Sequence, residues 1–317
     1  MEKHIFSTNV PLSSHSYYKI GGEAKYFFEA RNIDEIVSAL AVWREIGDLE
    51  SRGIFIMGAG TNILFKDEGF DGLILKPEIK FIEKEDGFLK VGAGVLMSEL
   101  LEYAIENNLS GLEWAGGLPG TLGGAVYGNA GAFGGEMKNV VCDVVSVGIS
   151  GLFPTIIRRS REDCGFGYRS SVFKENKNEI IVEAMLKLTK WNQQAIRRET
   201  EDKIKYRLDK HPMEYPSLGS TFRNIEIAFL NDDKINLMIS EGAPIIEERI
   251  PAAYLISQAG LKGVSCGGAV ISPKHPNFIV NALNATSADV RNLIELIKAE
   301  VGNRFGVNLD EEIVIHS

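Results

Sequence analysis

The stretch that decides the fold is residues 114–136, which read Trp-Ala-Gly-Gly-Leu-Pro-Gly-Thr-Leu-Gly-Gly-Ala-Val-Tyr-Gly-Asn-Ala-Gly-Ala-Phe-Gly-Gly-Glu. Ten glycines fall between Gly111 and Gly135, where an even spread of the chain's 33 glycines over 317 residues would place fewer than three. Glycine costs about 0.5–1 kcal/mol relative to alanine in regular structure. Tight turns usually combine scattered glycine with Asn, Asp and Ser, whereas this stretch carries apolar residues between its glycines. The composition therefore favours close backbone approach to a large, flat ligand over a loop of tight turns.

A second Gly-rich segment, Gly58-Ala59-Gly60-Thr61-Asn62, follows an apolar run at 53–57 that predicts a buried strand. It begins like a dinucleotide fingerprint, but Ile63 stands where the third glycine belongs, which argues against a classical Rossmann NAD site. Small residues would still let backbone N–H groups approach a pyrophosphate, and Thr61 and Asn62 add side-chain donors. Alone, the motif favours an ordinary Gly-rich turn; beside residues 114–136 it supports nucleotide binding.

Composition excludes several classes of protein. The formal net charge is −9, so no overall field attracts nucleic acid or anionic lipid. No apolar run reaches the roughly 18 residues that span a bilayer. The three cysteines, Cys142, Cys164 and Cys266, are an odd number at wide spacing and predict reduced thiols. We expect a cytoplasmic protein with no nucleic-acid or membrane partner, monomeric unless an oligomer is demonstrated.

Hydrophobic periodicity elsewhere predicts a mixed α+β chain. Helices are expected at 34–46, 98–107 (with Ser98 as N-cap), 193–210, 251–258 and 286–303 (with Thr286 as N-cap). Strands are expected at 53–57, 72–75, 88–91, 140–149, 155–158, 179–188, 269–272 and 278–281. Because proline ends helices, the charged helix at 193–210 and the Pro212 after it indicate a domain boundary near residue 205.

At this point the motifs resemble a known family. Residues 58–64 and 117–125 together resemble the FAD-binding part of the UDP-N-acetylenolpyruvoylglucosamine reductases. Further family-like segments follow in order along nearly the whole chain, at 16–22, 168–174, 219–222, 259–263, 272–278 and 309–313.

The resemblance implies an α+β architecture: a two-subdomain FAD-binding fold of the vanillyl-alcohol-oxidase/PCMH type, followed by a smaller α+β substrate domain. The FAD-binding domain would span 1–204, with subdomains of about 1–66 and 67–204, and the substrate domain would span 205–317. The short passage from Leu188 to the charged helix resembles the family's shorter variety, which lacks an inserted βαββ piece and a tyrosine-bearing loop.

The resemblance also implies an activity. NADPH would reduce non-covalently bound FAD, which would reduce the enolpyruvyl group of a UDP-sugar to give the peptidoglycan precursor UDP-N-acetylmuramate. Ser220 would then donate a proton, Arg169 would hold the substrate carboxylate, and Glu312 would help polarise it. Without the resemblance these residues are typical of a turn serine, a surface ion pair and a solvated carboxylate.

The remaining expected site residues are small, or carry an amide, a cation or an aromatic ring. The expected FAD ligands are Gly58, Ala59, Gly60, Thr61, Asn62, Gly116, Gly117, Pro119, Gly120, Thr121, Gly124, Ala125, Asn129, Ala130 and Gly131. The candidates for binding the UDP-sugar are Tyr168, Lys210, Tyr215, Asn224 and Lys262. The histidines lack metal-ligand spacing, so no metal is expected, and His275 is interpreted as structural.

Three other functions stay open on the residues alone. A flavin oxidase could share the fold, because fold does not fix function. A flavin-binding module without turnover would leave Ser220, Arg169 and Glu312 incidental. An NAD-only Rossmann dehydrogenase would be colourless.

Overall fold

The computed structural model describes residues 5–46, 53–151 and 153–315 and divides them between two compact units. Over the described residues, unit 1 takes Met1–Val10, Ala24–Ala59 and Asp71–Arg207, and unit 2 takes Pro11–Glu23, Gly60–Phe70 and Leu208–Ser317.

Helices are interspersed with runs of strands along the described ranges. The α-helices are α1 (Leu12–His15), α2 (Ile33–Ile46), α3 (Met97–Glu106), α4 (Leu122–Tyr127), α5 (Val172–Asn176), α6 (Gln193–Lys210), α7 (Asp232–Ser240), α8 (Ala252–Gln258) and α9 (Ser287–Phe305). The strands are β1 (Ser7–Pro11), β2 (Glu23–Ala30), β3 (Ile54–Ile56), β4 (Ile63–Leu64), β5 (Phe70–Pro77), β6 (Ile82–Glu85), β7 (Phe88–Gly92), β8 (Leu109–Ser110), β9 (Gly131–Ala132), β10 (Gly135–Glu136), β11 (Val141–Gly148), β12 (Thr155–Ser160), β13 (Glu179–Leu186), β14 (Thr189–Lys190), β15 (Ile225–Glu226), β16 (Arg249–Ile250), β17 (Ser265–Cys266), β18 (Ala269–Ile271), β19 (Ile279–Asn281) and β20 (Val314–Ile315).

Most of the expected helices and strands are present, with one cap misplaced. The start of α3 differs from the expectation because Leu96, not Ser98, is the N-cap residue. The Leu96 amide donates to the Glu99 carboxylate at 3.0 Å, so a carboxylate in the first turn satisfies the backbone N–H of the N-cap residue. Ser98 therefore lies inside the first turn.

Unit 1 is built on two sheets. One has the strand order β1-β2-β5-β3, with β3 parallel to β5. It packs against α2, and the buried residues of this core include Trp43 of α2 and Phe6. The other is antiparallel with the order β12-β11-β13-β7-β6. Its core includes Leu186, Val144 and Trp114, so the Gly-rich segment is anchored to this sheet.

Unit 2 packs α8 and α9 against a small antiparallel sheet with the order β17-β18-β19. The α9 helix begins at a capping box, because Thr286 and Asp289 exchange side-chain-to-backbone hydrogen bonds. Thr286 is thus the N-cap that the sequence predicts.

Two N-terminal segments belong to unit 2, which the expected division at residues 66 and 204 does not anticipate. The Tyr18 hydroxyl donates to the Ile279 carbonyl at 2.8 Å, and Asp67 accepts from the Ser287 amide at 2.9 Å. Strand β4 also pairs in parallel with β20 at the other end of the chain. These long-range bonds hold residues 11–23 and 60–70 with the C-terminal half, a placement that local sequence patterns cannot reveal.

Candidate active site

The turn at 58–62 follows β3 and needs its glycines for packing. A Cβ added to Gly58 would lie 2.7 Å from the Thr121 hydroxyl oxygen. Gly60 has φ +66°, and a Cβ there would lie 2.3 Å from the His15 carbonyl oxygen. The Tyr17 amide also donates to the Gly60 carbonyl at 3.0 Å. Larger residues at these two positions would displace neighbouring groups of the fold.

The turn at Gly116 and Gly117 is covered by one face of α6. A Cβ on Gly116 would lie 2.5 Å from the Thr200 carbonyl oxygen, and one on Gly117 would lie 3.0 Å from Cδ of Arg207. The absence of a side chain at Gly116 and Gly117 therefore makes room for α6, and not only for a ligand.

The other end of the segment is packed just as closely. A Cβ on Gly135 would lie 2.3 Å from the indole ring of Trp114, and one on Gly131 would lie 2.7 Å from the Glu136 side chain. The interpretation that ligand approach alone explains the glycine density is therefore wrong for these positions. Close internal packing accounts for several of the ten glycines.

The glycines of α4 and its C-cap are not closely packed. A Cβ added to Gly124 or Gly128 would meet no atom closer than 3.6 Å. The helix is fixed by its N-cap residue, because the Thr121 hydroxyl accepts from the Gly124 amide at 3.3 Å. A flat ring system needs a side-chain-free surface of this kind, so these residues fit FAD.

Asn129 lies in the same segment, but its side chain is fully buried and serves the protein itself. Its amide donates to the Glu136 carboxylate at 3.0 Å and to the Gly167 carbonyl at 2.8 Å, and its oxygen accepts from the Lys138 amide at 3.0 Å. Burial alone would raise the pKa of Glu136, but hydrogen bonds from Lys138 and Asn129, together with the Arg169 charge, lower it. Asn129 thereby ties the Gly-rich segment to the turn that carries Arg169.

Arg169 is half-buried in unit 1 and held at several points. Its backbone is left-handed, with φ +54°, and its guanidinium donates to the Gly131 carbonyl at 2.8 Å. The same guanidinium carbon lies 5.3 Å from the centre of the Tyr168 ring. The Lys174 ammonium donates to the Arg169 carbonyl at 3.0 Å. The planar fork is thus fixed in direction before any ligand binds.

Ser220 and Glu312 lie in unit 2 on adjoining backbone segments. Ser220 follows Gly219, which has φ +79° and open space where a Cβ would stand. The amide of Glu312 donates to the carbonyl of Thr221, the next residue after Ser220, at 2.8 Å. The structure therefore brings these two expected site residues together across 92 positions of sequence.

Asn62 supports the same arrangement. Its side-chain amide donates to the Glu312 carbonyl at 3.1 Å, and its carbonyl accepts from the Val314 amide at 2.9 Å. Asn62, whose side chain is expected to face a cofactor, therefore also holds the segment that carries Glu312 and leads into β20.

Asn277, which is 3% exposed, is a site residue that is not among those expected from the sequence. Its side chain accepts from the Phe222 amide at 3.0 Å and donates to the Phe222 carbonyl at 2.8 Å, while its carbonyl accepts from the Thr221 amide at 2.7 Å. These three bonds fix the backbone just after Ser220. The available signal was an asparagine inside a family-like segment between two predicted strands.

The five candidates for the UDP-sugar are placed differently from one another. Lys210, Tyr215 and Lys262 are exposed in unit 2, and Tyr168 stacks beside Arg169 in unit 1. The side-chain oxygen of Asn224 accepts from the Ala252 amide at 3.2 Å, which joins Asn224 to the start of α8.

His275 and Cys164 have the environments of structural groups. His275 packs against His211 and Phe278, and burial lowers its pKa. Burial raises the pKa of the Cys164 thiol to about 12, which makes it a poor nucleophile.

Within the described ranges, no helix is both long and apolar enough to cross a membrane.

Comparison with known proteins places this geometry in context. The model of the C-terminal domain of UDP-N-acetylenolpyruvoylglucosamine reductase matches residues 211–316, and an FAD-binding domain model matches residues 24–147.

Individual relatives align over almost the full chain. The UDP-N-acetylenolpyruvoylglucosamine reductase of Lachnoclostridium phytofermentans is 36% identical, over 98% of this chain and 94% of its own. The protein of the same name from Anoxybacillus flavithermus is 36% identical, over 97% of this chain and 93% of its own. The crystal structure of UDP-N-acetylenolpyruvylglucosamine reductase from Thermus caldophilus superimposes with a TM-score of 0.76 at 27% identity, over 98% of this chain and 100% of its own.

Proposed function

Because the chain belongs to the UDP-N-acetylenolpyruvoylglucosamine reductase family, we propose that Ser220, Arg169 and Glu312 carry out the reduction of an enolpyruvyl UDP-sugar. The expected fold class, with its two-subdomain FAD-binding fold, is confirmed by the FAD-binding domain match and the full-length structural match. The product of the reaction is UDP-N-acetylmuramate, a precursor of peptidoglycan.

The cofactor is FAD, which when bound transfers a hydride from NADPH to the enolpyruvyl double bond. The chain itself contributes surface and orientation. The open strip at Gly124 and Gly128 would lie against the flavin, and the turn at 58–62 would lie near its phosphates.

Ser220 would supply the proton that completes the reduction. Hydride addition to one vinyl carbon leaves an electron pair delocalised onto the carboxylate, and the adjacent carbon must then take a proton. The Ser220 hydroxyl would give that proton and become an alkoxide, which needs a nearby donor or cation because serine is a weak acid. Asn277 and the Glu312 segment fix the backbone beside Ser220, which supports this role.

Arg169 would bind the substrate carboxylate and stabilise the charge that develops on it. A guanidinium can form two parallel hydrogen bonds with a carboxylate, and such charge-assisted bonds are about twice as strong as neutral ones. Its fixed side chain supports the assignment, because a preorganised donor spends no free energy on reorientation. Glu312 would polarise the bound carboxyl or relay the proton. Tyr168, Lys210, Tyr215, Asn224 and Lys262 would contact the UDP-sugar.

The single observation that carries the proposal is the hydrogen bond between the Glu312 amide and the Thr221 carbonyl. It joins the backbone segments that carry Ser220 and Glu312, the two expected catalytic residues of unit 2. The bond supports the proposal because it holds the two residues that the resemblance places in one site on neighbouring backbone segments.

The decisive experiment separates the two halves of the reaction in a Ser220→Ala variant. NADPH should reduce the flavin at the wild-type rate, while reoxidation by the enolpyruvyl substrate should slow about 10²–10⁴-fold. A Ser217→Ala variant, altered three residues earlier on the same segment, is the matched control and should behave as wild type. Normal reoxidation in Ser220→Ala would remove Ser220 from the mechanism.

We further propose that the protein acts as a cytoplasmic monomer. Cys142, Cys164 and Cys266 are free thiols, which supports a reducing compartment. Sedimentation of the flavin-loaded protein at micromolar concentration would reveal any oligomer.

A further inference from the structure

One face of α6 lies on the Gly-rich segment and ends in an arginine that the proposed mechanism does not use. Ile196, Thr200, Lys203 and Arg207 recur at helical spacing and share this face. Ile196 and Thr200 are buried, and Lys203 and Arg207 are half-buried. The charged end of the face therefore points toward the segment expected to bind ligand.

The Arg207 side chain is positioned from three directions. Its Nε donates to the Gly116 carbonyl at 2.8 Å, and its Cδ lies 3.0 Å from where a Cβ on Gly117 would stand. Its guanidinium carbon lies 5.3 Å from the centre of the Phe133 ring. Phe133 itself adopts the left-handed backbone conformation, with φ +52°, that places its ring there. The guanidinium is thus held in one place by contacts made within unit 1.

What this arginine lacks is an anion. Over the described residues, its Nη2 atom is buried and has no hydrogen-bond partner, and the side chain forms no ion pair. Arg159, by contrast, donates to the Glu179 carboxylate through both Nε and Nη2 and forms an ion pair with it. Burial and the charge of Arg169 lower the pKa of Arg207. Arg169 donates to the Gly131 carbonyl, two residues before the Phe133 ring on which Arg207 packs, so both cations lie at the same end of the Gly-rich segment. Two partly buried cations at one place are costly unless an anion joins them.

We propose that Arg207 and Arg169 form a two-guanidinium site for an oxyanion, a carboxylate or phosphate of a ligand bound at the Gly-rich segment. Arginine suits this role because its planar fork binds such groups through two parallel hydrogen bonds. The proposal rests on the proposed function, in which two ligands carry oxyanions. They are FAD, with its diphosphate, and the UDP-sugar, with its diphosphate and its enolpyruvyl carboxylate.

The test measures binding rather than turnover in Arg207→Gln. Three dissociation constants are compared with wild type: FAD on the apoprotein, by flavin fluorescence, and two UDP ligands on the oxidised holoenzyme, by flavin difference spectra. One ligand is the enolpyruvyl substrate. The other is UDP-N-acetylglucosamine, which has the diphosphate but no carboxylate.

Loss of one charge-assisted hydrogen-bonded pair should raise a dissociation constant about tenfold or more. A rise for the enolpyruvyl substrate alone would identify the carboxylate as the bound group. A rise for both UDP ligands would identify the substrate diphosphate, and a rise for FAD would identify the cofactor diphosphate. All three constants within about twofold of wild type would overturn the proposal.

Two further variants test whether a change in a dissociation constant comes from the loss of the Arg207 guanidinium rather than from a general loss of charge or of folding. Lys203→Gln removes the other cation over the Phe133 ring, 5.1 Å from its centre, and should leave all three constants unchanged. Arg207→Lys keeps the charge and most of the stem but lacks the fork, so it should fold and still show a smaller loss for the same ligand. If wild-type holoenzyme bound neither UDP ligand, the proposed function would fail, which is distinct from a wild-type-like Arg207→Gln.

Discussion

Arg169 in unit 1 and Ser220 in unit 2 are fixed by opposite means. Arg169 is held through its own side chain, by the Gly131 carbonyl and the Tyr168 ring. Ser220 is held through the backbone that follows it, which Asn277 and the Glu312 segment pin in place. A group that must bind a carboxylate needs a fixed direction, whereas a hydroxyl that gives up a proton needs only a fixed position. The contrast predicts different consequences for substitutions in the two regions.

After the loss of rate expected for Ser220→Ala, the largest effect is expected at Arg169. Arg169→Met should slow flavin reoxidation by the enolpyruvyl substrate about 10²–10³-fold, because a fixed donor to the developing charge is lost. Arg169→Lys should recover only part of this rate, since lysine keeps the charge without the fork. Stopped-flow absorbance of pre-reduced enzyme measures both. Equal rates in Arg169→Lys and wild type would show that charge alone is needed, and would break the contrast with Ser220.

The next effect concerns the backbone beside Ser220. Asn277→Ala removes two hydrogen bonds to Phe222 and leaves a buried amide and carbonyl unpaired, which should lower the free energy of unfolding by about 2–4 kcal/mol. Urea unfolding measures the loss. Asn292→Ala, at an exposed asparagine of the same unit, is the control and should stay within about 0.5 kcal/mol of wild type. A stable Asn277→Ala variant would mean that the Ser220 segment is not fixed as described.

Glycines around Arg169 give a smaller and more selective test. Gly135→Ala would push against the Trp114 ring and should cost about 1–3 kcal/mol of stability. It should also loosen the hairpin of β9 and β10, whose Gly131 carbonyl holds Arg169. Gly128→Ala, where a Cβ meets only one atom, at 3.8 Å, is the matched control and should cost less than about 0.5 kcal/mol. Equal stabilities of the two variants, from thermal melts, would refute the packing assigned to Gly135.

The smallest expected effect is a pH dependence of the free energy of unfolding, which arises from His275 in unit 2. Burial depresses the pKa of His275 in the folded state, so the unfolded chain takes up its proton first as pH falls. The stability that His275 contributes is complete above its unfolded pKa of about 6.5 and is lost as pH drops below it. A His275→Asn variant should therefore lose less stability than wild type between pH 7 and pH 5. Parallel urea midpoints for both proteins across that range would contradict this.

The sequence predicts local structure well and long-range packing poorly. The 193–210 helix is found with its expected bounds because its polar pattern and the following proline are local signals. The glycine density correctly marks a special segment, but it cannot separate Gly116, which packs under α6, from Gly124, where a Cβ would meet no atom closer than 3.6 Å. That distinction depends on a helix about 80 residues away in sequence.

Site residues divide in the same way. Arg169, Ser220 and Glu312 were reached through family resemblance, since an isolated arginine, serine or carboxylate carries no local signature. Asn277 and Arg207 act through neighbours distant in the chain, so no spacing or composition marks them. The roles of all five residues stay predictions until the variants are measured.

The most direct test of the central claim is the visible absorption spectrum of the purified protein, followed without oxygen. NADPH should bleach the yellow flavin, and the enolpyruvyl UDP-sugar should then restore its colour in a one-to-one stoichiometry. A flavin that bleaches but recovers only when oxygen is admitted would indicate an oxidase. A colourless protein that cannot take up FAD would contradict the account altogether.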